Sequence, residues 1–131
     1  GVDRILLLSA ERSVVRWNAD RAAAQLAKLT RVARESGMQS RRVRLPVVES
    51  VVPAAVAVGR TCVAMAEPGG EALDDDVRLL LVGPEGGWTD AELGDRRRVG
   101  LGPTVLRAET AAIAAGTLMV ALRDGRLSAA S

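Results

Sequence analysis

The chain has 131 residues, 48% of them apolar, and it contains one cysteine and no histidine. That length and apolar content support one domain with a real core, and the recurring Leu, Val, Ala and Ile exclude a disordered chain. A net charge of +2 hides basic ends around an acidic middle: residues 11–44 carry nine basic and three acidic side chains, 45–95 two and ten, and 96–131 six and two.

In chain order, Asp3–Ser9 reads as a short buried strand. A helix follows over Arg21–Glu35, with Ala22, Leu26, Leu29 and Ala33 on one face, Asn18 or Asp20 as its cap and Gly37 as its end. Pro46 breaks the chain after Arg41–Leu45, and Val51–Val58 reads as a second, shorter helix despite Pro53. Thr61–Ala66 is a β-rich run, and Glu67–Asp76 a polar loop containing glycine. Val77–Val82 is apolar almost throughout, as expected of a strand covered on both faces in a parallel sheet. Thr89-Asp90-Ala91-Glu92 is a capping box that opens a helix to about Arg98, and Val99–Leu101 is a short strand. Glu109–Leu122 is a helix apolar on nearly every side and is expected to be buried, against a partner chain. Strands alternating with helices predict an α/β layered fold with a parallel sheet.

Composition removes several chemistries. Without histidine and with only Cys62, imidazole catalysis, Cys/His zinc sites, Ser-His-Asp triads and an internal disulfide are all excluded, so no metal is expected. The lone cysteine fits a reducing cytoplasm. The apolar run Ala111–Leu122 is too short to span a bilayer, and no basic, apolar leader opens the chain, so neither a membrane span nor a secretory signal is expected. Trp17 and Trp88 are the sole aromatics, too few for a base-stacking platform. Seventeen of the eighteen basic residues are arginine, a bias that suits bidentate phosphate contacts as well as it suits solvated faces.

Two segments carry chemistry. In Leu80-Leu81-Val82-Gly83-Pro84-Glu85-Gly86-Gly87-Trp88-Thr89 a buried strand enters a turn with three glycines and then a capped helix. Ligands of open α/β sheets bind at such carboxyl ends of strands, and glycine lets backbone groups approach them. The same pattern also serves a tight strand-to-helix turn. It contains neither GxGxxG nor a Walker lysine, which argues against dinucleotide and nucleotide-phosphate sites. In Leu101-Gly102-Pro103-Thr104-Val105-Leu106-Arg107-Ala108-Glu109-Thr110-Ala111, Arg107 and Glu109 interrupt an apolar stretch, either as a structural pair or as working groups.

Together, GPEGG followed about a dozen residues later by LGPTVLRAETA resembles the signature of the SPOUT superfamily, and more closely that of the ribosomal RNA small-subunit methyltransferase E family. Glu11-Arg12-Ser13 with Val14-Val15, and Gln39-Ser40-Arg41-Arg42 with Pro46, are similar to two further segments of that family. The resemblance runs in order from Gly1 to about Arg126. It implies a SPOUT-type parallel sheet flanked by helices with a C-terminal trefoil knot, a homodimer, and S-adenosylmethionine as cofactor for methylation of N3 of a uridine in 16S ribosomal RNA. It places Gly83, Pro84, Glu85, Gly86 and Gly87 in one cofactor loop, Leu101, Gly102, Val105 and Leu106 in another, and Met65, Ala66 and Glu67 in a third lining segment. It sets Arg107, Glu109 and Thr110 at the transferring methyl and target base, and Arg12, Gln39 and Arg42 on the RNA side. The family's N-terminal RNA-binding barrel and the start of its catalytic domain have no counterpart in residues 1–131, which read as the cofactor-binding domain. Within the superfamily, ribose 2′-O-methylation is the alternative activity, and a non-catalytic RNA-binding module of the same fold is the alternative outside it.

Overall fold

The computed structural model describes residues 1–13 and 18–129, so Val14, Val15 and Trp17 lie outside the described residues. Its elements are β1 (Arg4–Ser9), α1 (Ala19–Gln39), β2 (Val47–Pro53), α2 (Ala54–Ala57), β3 (Val63–Glu71), β4 (Leu79–Leu81), α3 (Asp90–Leu93), β5 (Arg98–Val99) and α4 (Ala108–Arg123). Among the described residues every strand pairing is parallel, as the unbroken apolar strands predict. The strands form two sheets: β1 pairs with β2, and β3 lies between β4 and β5.

Successive residues of β3 point to opposite faces, and both faces are covered. Met65, fully buried, joins Leu81, Trp88, Leu93, Ala54, Ala57 and Val58 in a core that also receives Leu6, Leu8 and Val52 from the first sheet. Ala64, also fully buried, joins Leu73, Val77 and Val99 on the other face, where Leu118, Met119 and Leu122 of α4 pack. The two sheets therefore share one core, and α4 closes its far side.

Several predicted elements shift, for identifiable reasons. α1 starts one turn's cap earlier, with the Asn18 side chain accepting from the Arg21 amide at 2.8 Å, and it runs past Gly37 to Gln39. Gly37 does not end the helix but makes room for a neighbour: a Cβ there would fall 2.5 Å from the Leu45 side chain. The segment 47–53 is a strand, and the expected helix over 51–58 shrinks to one turn capped at Pro53, because Pro fits only a helix start. The helix opened by the Thr89 capping box ends after Leu93 at Gly94, whose φ of +47° a helix cannot continue. The strand predicted at 99–101 is Arg98–Val99, and the one at 77–82 is Leu79–Leu81. Within this chain α4 buries Ala111 and Ala115 and leaves Ile113 72% exposed, and its expected cover by a partner chain lies outside a single copy.

The largest departure is the predicted loop 67–76. β3 continues to Glu71, and Ala66 and Glu71 both pair with Val99 across a break in register. Residues 67–70 thus arch around β5. Hydrogen bonds close both feet of the arch, from the Met65 amide to the Arg97 carbonyl (2.9 Å) and from the Gly100 amide to the Glu71 carbonyl (2.9 Å). At its crown the backbones nearly touch: a Cβ on Gly70 would lie 2.7 Å from main-chain atoms of Arg98 and Val99. Beside the arch, Arg97 pairs with Glu71 and with both carboxylate oxygens of Asp74, at 3.1 and 2.6 Å.

Two consequences are measurable. Gly70→Ala should destabilise the fold by at least ~2 kcal/mol, since the obstacle is backbone that cannot rotate away. A denaturation midpoint equal to that of the parent chain would contradict the close approach. The hydrogen bond from Arg97, opposed by partial burial, holds the Asp74 carboxyl below its ordinary range. A depressed carboxylate pKa contributes stability that is present above the unfolded-state value and lost as pH falls through the folded one. Acid titration of the melting temperature should therefore show a loss in the acidic carboxylate range that Asp74→Asn removes, and an identical acid profile for the two proteins would exclude this pair as its source.

Candidate functional site

A cleft of about 370 Å³ opens where the chain leaves β4 and β5 and where β3 arches. Three segments line it: Ala66, Glu67 and Pro68 from the arch, Val82–Glu85 with Gly87 and Trp88 after β4, and Leu101, Gly102 and Thr104–Ala108 after β5, with Ala111 of α4. Carboxyl ends of parallel strands are open by construction, because the chain must turn away from the sheet there.

Trp88 joins the first two segments. Its side chain is 5% exposed, and its indole Nε1 donates to the Ala66 carbonyl at 3.0 Å. Gly83 lies flat on the ring, since a Cβ on it would fall 3.0 Å from the indole. The glycine turn itself is closed by the Gly87 amide donating to the Pro84 carbonyl at 2.8 Å, with Gly87 at φ +76°, a conformation natural only to glycine. The capping box then anchors its exit. Thr89 Oγ1 accepts from the Glu92 amide, and Glu92 Oε1 accepts from the Thr89 amide at 3.0 Å.

Of the twelve residues expected to hold a cofactor, ten line the cleft: Ala66, Glu67, Gly83, Pro84, Glu85, Gly87, Leu101, Gly102, Val105 and Leu106. The other two face elsewhere. Met65 is fully buried in the core, as strand alternation requires when Ala66 faces the cleft. Gly86 turns away, toward Arg12. Arg107 lines the cleft at the start of α4, and among the described residues its side chain makes neither a hydrogen bond nor a salt bridge, so of the two readings open for Arg107 and Glu109 the structural pair is not formed. Glu109 and Thr110 sit on the exposed first turn of α4, outside the lining.

Two of the three residues expected on the RNA side are engaged within the chain. Gln39 is exposed at the end of α1. Arg42 is occupied, donating to the carbonyls of Val2 (2.9 Å) and Gly1 (3.3 Å) and lying 3.6 Å from the Asp3 carboxylate. Arg12 is spent on the glycine turn, its Nη1 donating to the carbonyls of Gly86 and Trp88, each at 3.2 Å. Lining residues that the sequence reading omitted are Pro68, Val82, Trp88, Thr104, Ala108 and Ala111. Trp88 had a signal, as a rare aromatic directly after the glycines, and Ala108 and Ala111 share one face by their spacing of three.

A second cavity of about 310 Å³ lies between α1 and the first sheet. Its walls are mainly apolar, including Ile5, Leu29, Val32 and Val48, and its arginine is the occupied Arg42. No group of side chains among the described residues could hold a metal ion, and none of their helices is long and apolar enough to cross a membrane.

Residues 1–120 match the family model of the RNA methyltransferase domain. The ribosomal RNA small subunit methyltransferases E of Mycobacterium bovis and Mycobacterium tuberculosis are 35% identical over 135 aligned positions, covering 88% of this chain and 52% of each relative. The chain thus spans about half the length of the curated relatives it matches. Among solved structures, a ribosomal RNA small subunit methyltransferase E from Neisseria gonorrhoeae, bound to S-adenosyl methionine, superposes with a TM-score of 0.77 at 31% identity, covering 93% of this chain and 57% of that one. A Legionella pneumophila methyltransferase in complex with the same cofactor gives 0.79 at 26%, covering 92% and 56%.

Trp88→Phe deletes the indole donor together with part of the buried ring system. It should cost at least ~1 kcal/mol by orphaning the Ala66 carbonyl and leaving a cavity, read as a lower urea midpoint. An unchanged midpoint would mean that the bond to the arch carries no stability.

Proposed function

This chain belongs to the RNA methyltransferase domain family, and from that premise we propose that residues 1–131 are an S-adenosylmethionine-binding domain whose cleft serves methylation of N3 of a uridine in 16S ribosomal RNA. The observation that supports this best is convergence: segments 66–68, 82–88 and 101–108, far apart in sequence, meet in one cleft lined also by Arg107, which is unpaired among the described residues. The relatives named as small-subunit methyltransferase E, one of them solved with S-adenosyl methionine, point the same way.

The cleft fits such a cofactor in size and chemistry. Its 370 Å³ lies within the range of small-molecule sites. Its lining is largely apolar, suited to an adenine ring, while Glu67 and Glu85 offer negative charge to a cation that carries both a sulfonium and an ammonium. When bound, the cofactor supplies an electrophilic methyl group. The chain's part is to hold the nucleophile in line, and orientation of this kind contributes about 7–11 kcal/mol. The N3 position must give up its proton before it can attack, and the Arg107 guanidinium stabilises the imide anion left behind. Glu109, on the exposed first turn of α4, either orients Arg107 or takes the proton. The chemistry needs no metal.

Three further features belong to this reading. The arch of 67–70, with Ala66 and Glu71 on its two sides both paired to Val99, supports the reading of a trefoil knot in this part of the chain. The exposed apolar side chains Ile113 and Val105 support a homodimer in which a second copy covers α4. The enzyme works in the cytoplasm, on the small ribosomal subunit.

Calorimetric titration with S-adenosylmethionine and its demethylated product should show saturable binding by this chain, and heat only from ATP or NAD would overturn the assignment. Arg107→Ala should leave cofactor affinity within a few-fold while reducing methyl transfer to small subunits by about 100-fold or more, since its charge acts on the anion formed during reaction. An equal loss of binding and transfer would assign Arg107 to the cofactor instead.

A further inference from the structure

We infer that Arg12 is a positioning residue for the glycine turn of the cleft, and that the short turn Ala10–Ser13 is a brace holding that turn in its ligand-binding shape. The inference rests on the cleft being the cofactor site proposed above.

The glycine turn cannot hold its own shape. Gly86 and Gly87 carry no side chains to restrict their backbones, and Gly87 sits at φ +76°, only one of the basins open to it. Within the turn, a single backbone hydrogen bond, from Gly87 to Pro84, opposes that freedom. Beyond Trp88 and the capping box, further restraint comes from a turn more than seventy residues away in sequence.

That distant turn is rigid in its own right. Directly after β1, the Ser13 amide donates to the Ala10 carbonyl at 3.1 Å, and the Ala10 amide donates to Ser13 Oγ at 3.0 Å. It is fastened through two adjacent residues. The Glu11 amide donates to Glu92 Oε2 of α3 at 3.1 Å, while Oε1 of the same buried carboxylate holds Thr89. Arg12 Nη1 donates to the Gly86 and Trp88 carbonyls of the glycine turn, each at 3.2 Å. A peptide unit is planar, so fixing a carbonyl also fixes the amide on its opposite edge. By holding these two carbonyls, Arg12 sets the orientation of the Gly86–Gly87 and Trp88–Thr89 peptides. Gly86 shows the fit from the other side: a Cβ on it would lie 3.1 Å from Arg12 Cβ and 3.4 Å from the Arg12 carbonyl oxygen. Its glycine identity therefore serves the docking of Arg12, and not the approach of a ligand.

The test separates positioning from RNA contact and from general stability. Arg12→Ala and Gly86→Ala attack the same contact from its two sides, and Arg12→Lys restores a cationic donor. Titration with S-adenosylhomocysteine, without RNA, should give a roughly tenfold weaker Kd for each alanine variant and recovery to within about threefold for Arg12→Lys, a tenfold change being about 1.4 kcal/mol. Amide hydrogen exchange should quicken at residues 85–88 in both alanine variants, with β3 and α4 amides unchanged. Binding to a ribosomal RNA fragment should stay within about twofold of the parent chain. Parental cofactor affinity in Arg12→Ala together with weakened RNA binding would overturn the inference and make Arg12 an RNA ligand. Exchange quickened throughout the domain would overturn it in favour of a general structural role. No heat from the parent chain would remove the reading of the cleft itself, a result distinct from both.

Discussion

The close passage of Gly70 over the Arg98–Val99 backbone is the constraint on which the rest of the site depends. Because no side chain stands between the two strands, β3 can pair with β5, arch over it and pair again. One crossing thereby brings the Ala66–Pro68 segment to the same place as the residues that follow β5. Without it, the segments 66–68 and 101–108 would leave the sheet as independent loops. The ion pairs of Arg97 with Glu71 and Asp74 sit at the foot of the arch, where they resist its opening.

The third wall of the cleft is held differently. The turn after β4 has no strand pairing of its own, so side chains hold it from two directions. From inside, Trp88 fills the space under Gly83 and donates to the arch. From outside, Glu92 and Arg12 hold its backbone against the turn after β1. Glycine is needed on both sides, at Gly83 so that the indole can lie flat and at Gly86 so that Arg12 can approach. Permissive backbone and external restraint belong together here. The turn is loose enough to place main-chain groups along the cleft wall, and its neighbours remove the entropy that would otherwise oppose order.

The arginine content takes on meaning only in this context. The basic bias of residues 11–44 suits phosphate contact, yet two of the arginines singled out there, Arg12 and Arg42, are occupied by backbone carbonyls. Arg42 ties the end of α1 to the start of the chain, and Arg123 reaches Asp3 from α4 at 3.0 Å. Guanidinium groups serve such roles well, because their fan of donors satisfies several carbonyls at once. Arg107 stands apart in lining the cleft with its side chain uncommitted among the described residues, as the role proposed for it requires.

Much was legible in the sequence because it is local. Apolar runs marked β1, β3 and β4, the capping box marked the start of α3, and Asn18 marked that of α1, all through interactions reaching no more than four residues. Of the nine cofactor residues expected in the two motif segments, eight line the cleft, since strand-to-turn junctions declare themselves by composition. Tertiary structure decided what depends on partners distant in the chain. It lengthened β3 through pairing with β5, made Gly37 a packing site for Leu45, and ended α3 at a glycine whose conformation no periodicity encodes. It also turned Met65 and Gly86 away from the cleft, the first by strand alternation and the second by contact with Arg12. Residue type and spacing determine which groups are available for chemistry. Only packing between segments far apart in the chain determines which of them face the ligand and which hold the others in place.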